Sequence, residues 1–236
     1  MLKHLFNPQV ILVTWPVFLF SLSLHEFLHA WSADRLGDPT PRACGRLTLN
    51  PIAHYDPIGT TFGLLFRVFG WAKPVPVNAA AFRSPKRDMM LTALGGPMGN
   101  LVLAAAFATV YKVLHTLFPV VDAASVGRAW TVVDLFQKMS AYGVFLNLAL
   151  AIFNLIPLYP LDGHHILRGF LSFKAALAYD RTKHLGGYLL GLLVLLSFAG
   201  LGGLSTLIFP PIRMVMELLF SPAELRGVTG VLRFVV

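Results

Sequence analysis

VILVTWPVFLFSLSLHEFLHAWSADRL, Val10 to Leu36, is the stretch that decides how this chain is read. No charged residue occurs between Val10 and Leu24, and Glu26 is the only acid from Met1 to Ala33. A run of about 20 apolar residues belongs in a bilayer rather than in a soluble core. Its second half carries His25-Glu26-Phe27-Leu28-His29, an HExxH pattern. On a helix, positions i and i+4 share one face, so both imidazoles can aim at one metal ion. Glu26 lies beside the first ligand, where a carboxylate can act as general base to a water the metal activates. A carboxylate inside a span costs several kcal/mol unless it is paired or used, on the order of the penalties measured for buried charge. The motif therefore points to metal-dependent hydrolysis at a site within a membrane.

Composition agrees. Of 236 residues, 56% are hydrophobic and 13% are charged, against roughly 25% charged in soluble domains. The net charge of +8 is scattered along the loops between apolar runs, with no basic helix or aromatic-basic repeat. Anionic lipid headgroups and topology account for it, and no nucleic-acid partner is expected. Cys44 is the single cysteine, which excludes an intrachain disulfide and a zinc site built from cysteine pairs. The first apolar run leads straight into the motif, so it reads as a span and not as a cleaved signal peptide.

Apolar segments place spans at about 10–36, 89–118, 131–158 and 185–220, the last interrupted by Gly200, Gly202, Gly203 and Pro210-Pro211. The expected fold is an α-helical polytopic membrane protein. It has a three-helix catalytic core, one or two C-terminal membrane helices, and residues 1–236 in one membrane-embedded domain. Residues 37–87 differ, with prolines at 39, 41, 51, 57, 74, 76 and 85 and short alternating runs such as Gly45-Arg46-Leu47-Thr48-Leu49-Asn50. They read as a β-hairpin or small sheet packed by the site, whose edge could pair with an extended peptide. A passive connecting loop is the alternative. This segment and its flanks carry Arg35, Arg42, Arg46, Arg67, Lys73, Arg83, Lys86 and Arg87, whereas Lys3 alone precedes the first span. Around the connection between the second and third spans lie Lys112, Arg128 and Lys138, and after the third come Arg168, Lys174, Arg181 and Lys183. The positive-inside rule puts the first long loop, and with it the HExxH end of the span, on the cytoplasmic side.

A hydrolytic zinc site needs a third protein ligand and an open position. The candidate is Asp162, in Asn154-Leu155-Ile156-Pro157-Leu158-Tyr159-Pro160-Leu161-Asp162-Gly163. Two prolines break the third apolar segment and Gly163 permits a tight turn, so the carboxylate can point back toward the core. His54 and the pair His164-His165 are further imidazoles to place.

Four blocks together resemble the site-2 protease family of intramembrane zinc metalloproteases. They are His25 to Ala30, Gly45 to Pro51 through His54 and Asp56-Pro57-Ile58-Gly59, Gly96-Pro97-Met98-Gly99-Asn100, and Asn154-Leu155-Ile156-Pro157 through Leu161-Asp162-Gly163. They cover most of residues 15–170 and are similar to the short prokaryotic branch without PDZ or CBS domains. The resemblance implies one Zn2+ per chain held by His25, His29 and Asp162, with Glu26 activating water. It also implies that Asn154 and Asn100 serve the substrate, Asn154 by orienting it or stabilising an oxyanion. The implied partners are the transmembrane helix of a membrane-protein substrate and the lipid bilayer, and the implied location is the cell membrane. Leu28 stands where many members have a small residue, and His164-His165 where glycine and a basic residue are common. An inactive protease-like scaffold and a histidine-box di-iron oxygenase are the competing readings. The second needs many repeated histidine boxes, and the chain has 8 histidines, mostly scattered.

Overall fold

The computed structural model describes residues 7–66, 70–118 and 131–235. Among them are eleven α-helices and one 3-10 turn. Helix α1 spans Pro8–Leu36. Asn7 caps it by accepting the Gln9 N–H, and Pro8 sits in the first turn, where a missing N–H costs nothing. It ends on Gly37, whose φ of 109° lets the backbone N–H turn back to Ala33 and Asp34 carbonyls. Buried positions run Val10, Val13, Thr14, Val17, Phe18, Ser21, Leu22, His25 and His29, a stripe of helical spacing. The two histidines thus continue the face that packs inward.

Three short helices follow: α2 (Thr40–Ala43), α3 (Pro51–His54) and α4 (Gly59–Phe66), then the 3-10 turn Ala79–Ala81. Helix α5 is Pro85–Leu117 and α6 is Val132–Leu155. With α1, these are the three helices, among the described residues, that are long and apolar enough to cross a membrane. Thr131 and Asp134 cap α6 reciprocally. An unbroken run from Ser140 to Ala151 is buried on α6, which is therefore wrapped on all sides by the other helices. The chain then forms α7 (Asp162–Phe170), α8 (Phe173–Asp180), α9 (Lys183–Phe198), α10 (Leu204–Leu219) and α11 (Pro222–Val235). The apolar block 185–220 is thus two helices, divided where Gly200, Gly202 and Gly203 adopt positive φ. Leu204, Ile208, Ile212 and Met216 of α10 and Val228, Val231 and Val235 of α11 join the core formed by α1, α5 and α6.

The expected β-hairpin or sheet in residues 37–87 is not present: no strand occurs among the described residues. The physical reason lies in competition for backbone donors. Asp38 accepts from Thr40 and Asn78 N–H, Asn50 from Ile52, Asp56 from Ile58 and Gly59, and Asn78 from Ala80. Such local bonds replace ladder bonds, and prolines remove further donors. Buried Arg46 joins the segment by donating to the carbonyls of Ala53 and Lys73. Of the cations used to orient the chain, Lys3, Arg67 and Arg128 lie outside the described residues.

Candidate metal centre

The i, i+4 spacing on α1 brings His25 Nε2 within 3.0 Å of His29 Nε2. Asp162 Oδ2 lies 3.3 Å from each of them. The carboxylate comes from the first residue of α7, after the turn through Pro157 and Pro160 has ended α6. Gly163 makes this approach possible, because a Cβ there would run into the carbonyls of Leu155 and Ile156. These three side chains form the group able to hold a metal ion among the described residues.

The donor set fits zinc. Two imidazole nitrogens and one carboxylate oxygen are the ligands of many hydrolytic zinc sites. Asp162 Oδ2 is buried and has no hydrogen-bond partner, a costly arrangement unless a cation meets it. Each histidine uses its other nitrogen against a fixed acceptor. His29 Nδ1 is 2.8 Å from the Thr92 carbonyl, and His25 Nδ1 is 2.6 Å from Asn100 Oδ1. Both Nδ1 atoms therefore carry the proton, which leaves both Nε2 lone pairs facing Asp162.

Space for the ligands comes from α5. A Cβ on Gly96 would meet His25 and His29, one on Gly95 would meet Leu28 and Ser32, and one on Gly99 would meet the end of Leu28. The larger Leu28 of α1 is thus matched by bare backbone on α5. Glu26 follows the first of these histidines on α1. Its Oε2 accepts the Val75 N–H at 3.2 Å, from the non-helical segment Lys73 to Asn78. Lys73 N–H donates to the His54 carbonyl and Asn78 N–H to Asp38, so this segment is tied at both ends.

Asn100 is fully buried, and its Nδ2 donates to Asn147 Oδ1 at 2.8 Å, which places it behind His25. Asn154 sits in the last turn of α6 and donates to the Leu150 carbonyl. His54 is held in the loop against the Thr48 carbonyl. His164 stacks on Tyr179 at 4.5 Å and lies 3.5 Å from Asp180, and neither it nor His165 joins the ligand group. Burial, with His164 and Lys183 beside it, holds His165 down to about 4. Sequence reasoning does not reach Asn147, Ser21, the Thr92 carbonyl or the Val75 N–H. Only Asn147 carries a signal, as a lone amide in the run Phe145 to Ile152, seven positions before Asn154.

Apolar helices that enclose an HExxH pair closed by a distant carboxylate define a membrane protein with the ligand set of a metallopeptidase. The chain belongs to peptidase family M50, whose sequence model matches residues 14–198. It is 41% identical over 150 residues to the Bacillus subtilis protein named "Putative zinc metalloprotease YwhC", a match covering 63% of this chain and 64% of the relative. It is 28% identical over 176 residues to "Putative zinc metalloprotease Rip2" of Mycolicibacterium smegmatis, covering 71% and 61%. With the Mycobacterium tuberculosis protein of the same name it shares 30% over 174 residues, covering 70% and 60%. The chain thus spans less than two thirds of the length of these relatives. No solved structure gives a significant match.

Proposed function

We propose that this chain is an intramembrane zinc metalloendopeptidase that cleaves transmembrane segments of membrane-protein substrates, in regulated intramembrane proteolysis. The observation that carries the reading is the convergence of His25 Nε2, His29 Nε2 and the partnerless Asp162 Oδ2 inside a helical bundle. His25, His29 and Asp162 would hold one zinc ion. Zinc at that point would polarise the scissile carbonyl and make water a competent nucleophile at neutral pH.

The chain's own residues do the rest. Glu26 takes a proton from the attacking water and returns it to the leaving amine. Its Oε2 is steadied by the Val75 N–H, so the carboxylate does not swing on a free side chain. A helical substrate must first unwind, because its own hydrogen bonds shield the peptide bond. Asn154, in the last turn of α6, is the side chain proposed to meet the freed substrate backbone. Asn100 serves the site through His25. The cationic loops favour a multi-pass location in the cell membrane with the site toward the cytoplasm. The partners are the substrate helix and the bilayer, and no nucleic acid.

The test uses purified chain in liposomes with a single-span substrate. Wild type should cut within the span, and Glu26→Gln should slow cleavage by about 10²–10⁴-fold while it keeps its zinc. Cleavage unchanged by Glu26→Gln would overturn the reading.

A further inference from the structure

Behind His25 a line of polar groups crosses three spanning helices. His25 Nδ1 on α1 meets Asn100 Oδ1 on α5 at 2.6 Å, and Asn100 Nδ2 meets Asn147 Oδ1 on α6 at 2.8 Å. Asn147 Nδ2 then reaches the Gly143 carbonyl at 2.8 Å and Ser21 Oγ at 2.9 Å. Asn100, Asn147 and Ser21 have no exposed surface. Two amides buried in a membrane bundle are costly unless their donors and acceptors are paired, as they are along this line.

The direction of this line can be worked out from its far end. The oxygen and nitrogen of an amide side chain are told apart only by their partners. A backbone carbonyl can only accept, so the Asn147 group facing Gly143 O must be the NH2. Asn147 then turns its oxygen to Asn100, which must answer with its own NH2. Asn100 in turn presents its oxygen to His25 Nδ1, which must be the donor. The proton is thereby fixed on Nδ1 and the Nε2 lone pair is left for the metal. Ser21 Oγ can donate or accept, so it does not set the direction. His29 needs no such line, because its Nδ1 faces the Thr92 carbonyl directly.

We propose that Asn147 is a positioning residue for the metal centre, which acts through Asn100 to fix the tautomer and ring orientation of His25, with the Gly143 carbonyl as the reference point. The proposal rests on the zinc reading above. In Asn147→Leu the Asn100 amide loses its reference and can turn its NH2 toward His25. The imidazole is then offered an acceptor's role at Nδ1, which places its proton on Nε2, where the metal must bind.

The experiment measures zinc affinity by chelator competition on the full chain in detergent for wild type, Asn147→Leu, Asn100→Leu and the double variant. The expected result is about tenfold to hundredfold weaker zinc binding in Asn147→Leu, the range for groups that orient a ligand. In the Asn100→Leu background the second substitution should cost nothing further, since Asn147 acts only through Asn100. Asn147→Asp should restore affinity to within about threefold of wild type. Its carboxyl, protonated in the bundle, keeps a donor for Gly143 and an oxygen for Asn100. Ser21→Ala should leave affinity unchanged.

Wild-type affinity in Asn147→Leu would overturn the proposal, as would a full additive loss in the double variant. Should Asn147→Leu not fold, Asn147→Asp decides alone, and a loss of about tenfold or more there is contrary to the proposal. Failure of the zinc reading itself is distinguishable, because wild type would then bind no zinc at all.

Discussion

Gly96→Ala is the substitution whose effect follows most directly from the packing of α5 on α1. A Cβ at position 96 would lie 2.6 Å from His25 Cε1 and 2.7 Å from His25 Nε2, and nearer still to His29 Nε2. Ordinary contact begins near 3.4 Å, so the methyl is short of room by roughly 0.7–1.1 Å across these three atoms. The imidazoles cannot simply retreat, because their Nδ1 atoms are already held at 2.6 and 2.8 Å by Asn100 and the Thr92 carbonyl. Zinc sites tolerate only about ±0.2 Å in ligand position. Forcing a methyl into a packed core costs about 1–3 kcal/mol. At about 1.4 kcal/mol per factor of ten, zinc binding should weaken roughly 5- to 150-fold. The assay is chelator competition on the purified chain in detergent, with thermal unfolding followed alongside. Gly99→Ala is the control, because its methyl meets the flexible end of Leu28 and no ligand. It should keep zinc affinity within about threefold of wild type. The reasoning fails if Gly96→Ala binds zinc like wild type, or if Gly99→Ala loses as much.

Gly163→Ala would drive a methyl into the carbonyls at the end of α6, which cannot yield as a side chain can. It should displace Asp162 and lower both zinc affinity and stability, the latter by about 1–3 kcal/mol in thermal or denaturant unfolding. Arg46→Ala removes the guanidinium that ties Ala53 to Lys73, and with it the support of the segment that brings Val75 to Glu26. Stability should fall by about 1.5–3 kcal/mol, and peptidase rate should fall while zinc stoichiometry stays unchanged. Burial pushes the Asp180 carboxyl up, but Arg168 and Lys183 outweigh it and hold it below its usual value. Its contribution to stability is therefore full above an unfolded value of about 3.9 and is lost as pH falls through the lower folded value. Asp180→Asn should remove that acid-side loss, read as a flatter melting temperature between about pH 5 and pH 3.

What could be read from the sequence was what local chemistry determines. His25 and His29 need only helical spacing to share a face, and Asp162, which the fold brings to them, is flagged by Pro157, Pro160 and Gly163 around it. Three spans follow from apolar length alone. The loop before α5 was not legible in the same way. Alternation in Gly45 to Asn50 suggested strands, yet a strand needs a pairing partner, and here Asp38, Asn50, Asp56 and Asn78 claim the backbone donors one at a time. The division of residues 185–220 into two helices follows from positive φ at Gly200, Gly202 and Gly203, the glycines that interrupt the apolar run in the sequence. Asn100 carried a motif but not a direction. Only the placement of Asn147 and Gly143 behind it shows that its amide oxygen, and not its NH2, faces His25.

Whether His25, His29 and Asp162 hold one zinc ion is tested most directly by metal analysis of the purified chain. Elemental analysis by mass spectrometry should find about one zinc per wild-type chain, and far less after His25→Ala, His29→Ala or Asp162→Ala in chains that still fold. A wild-type chain without stoichiometric zinc, or one that holds about two irons instead, would contradict it.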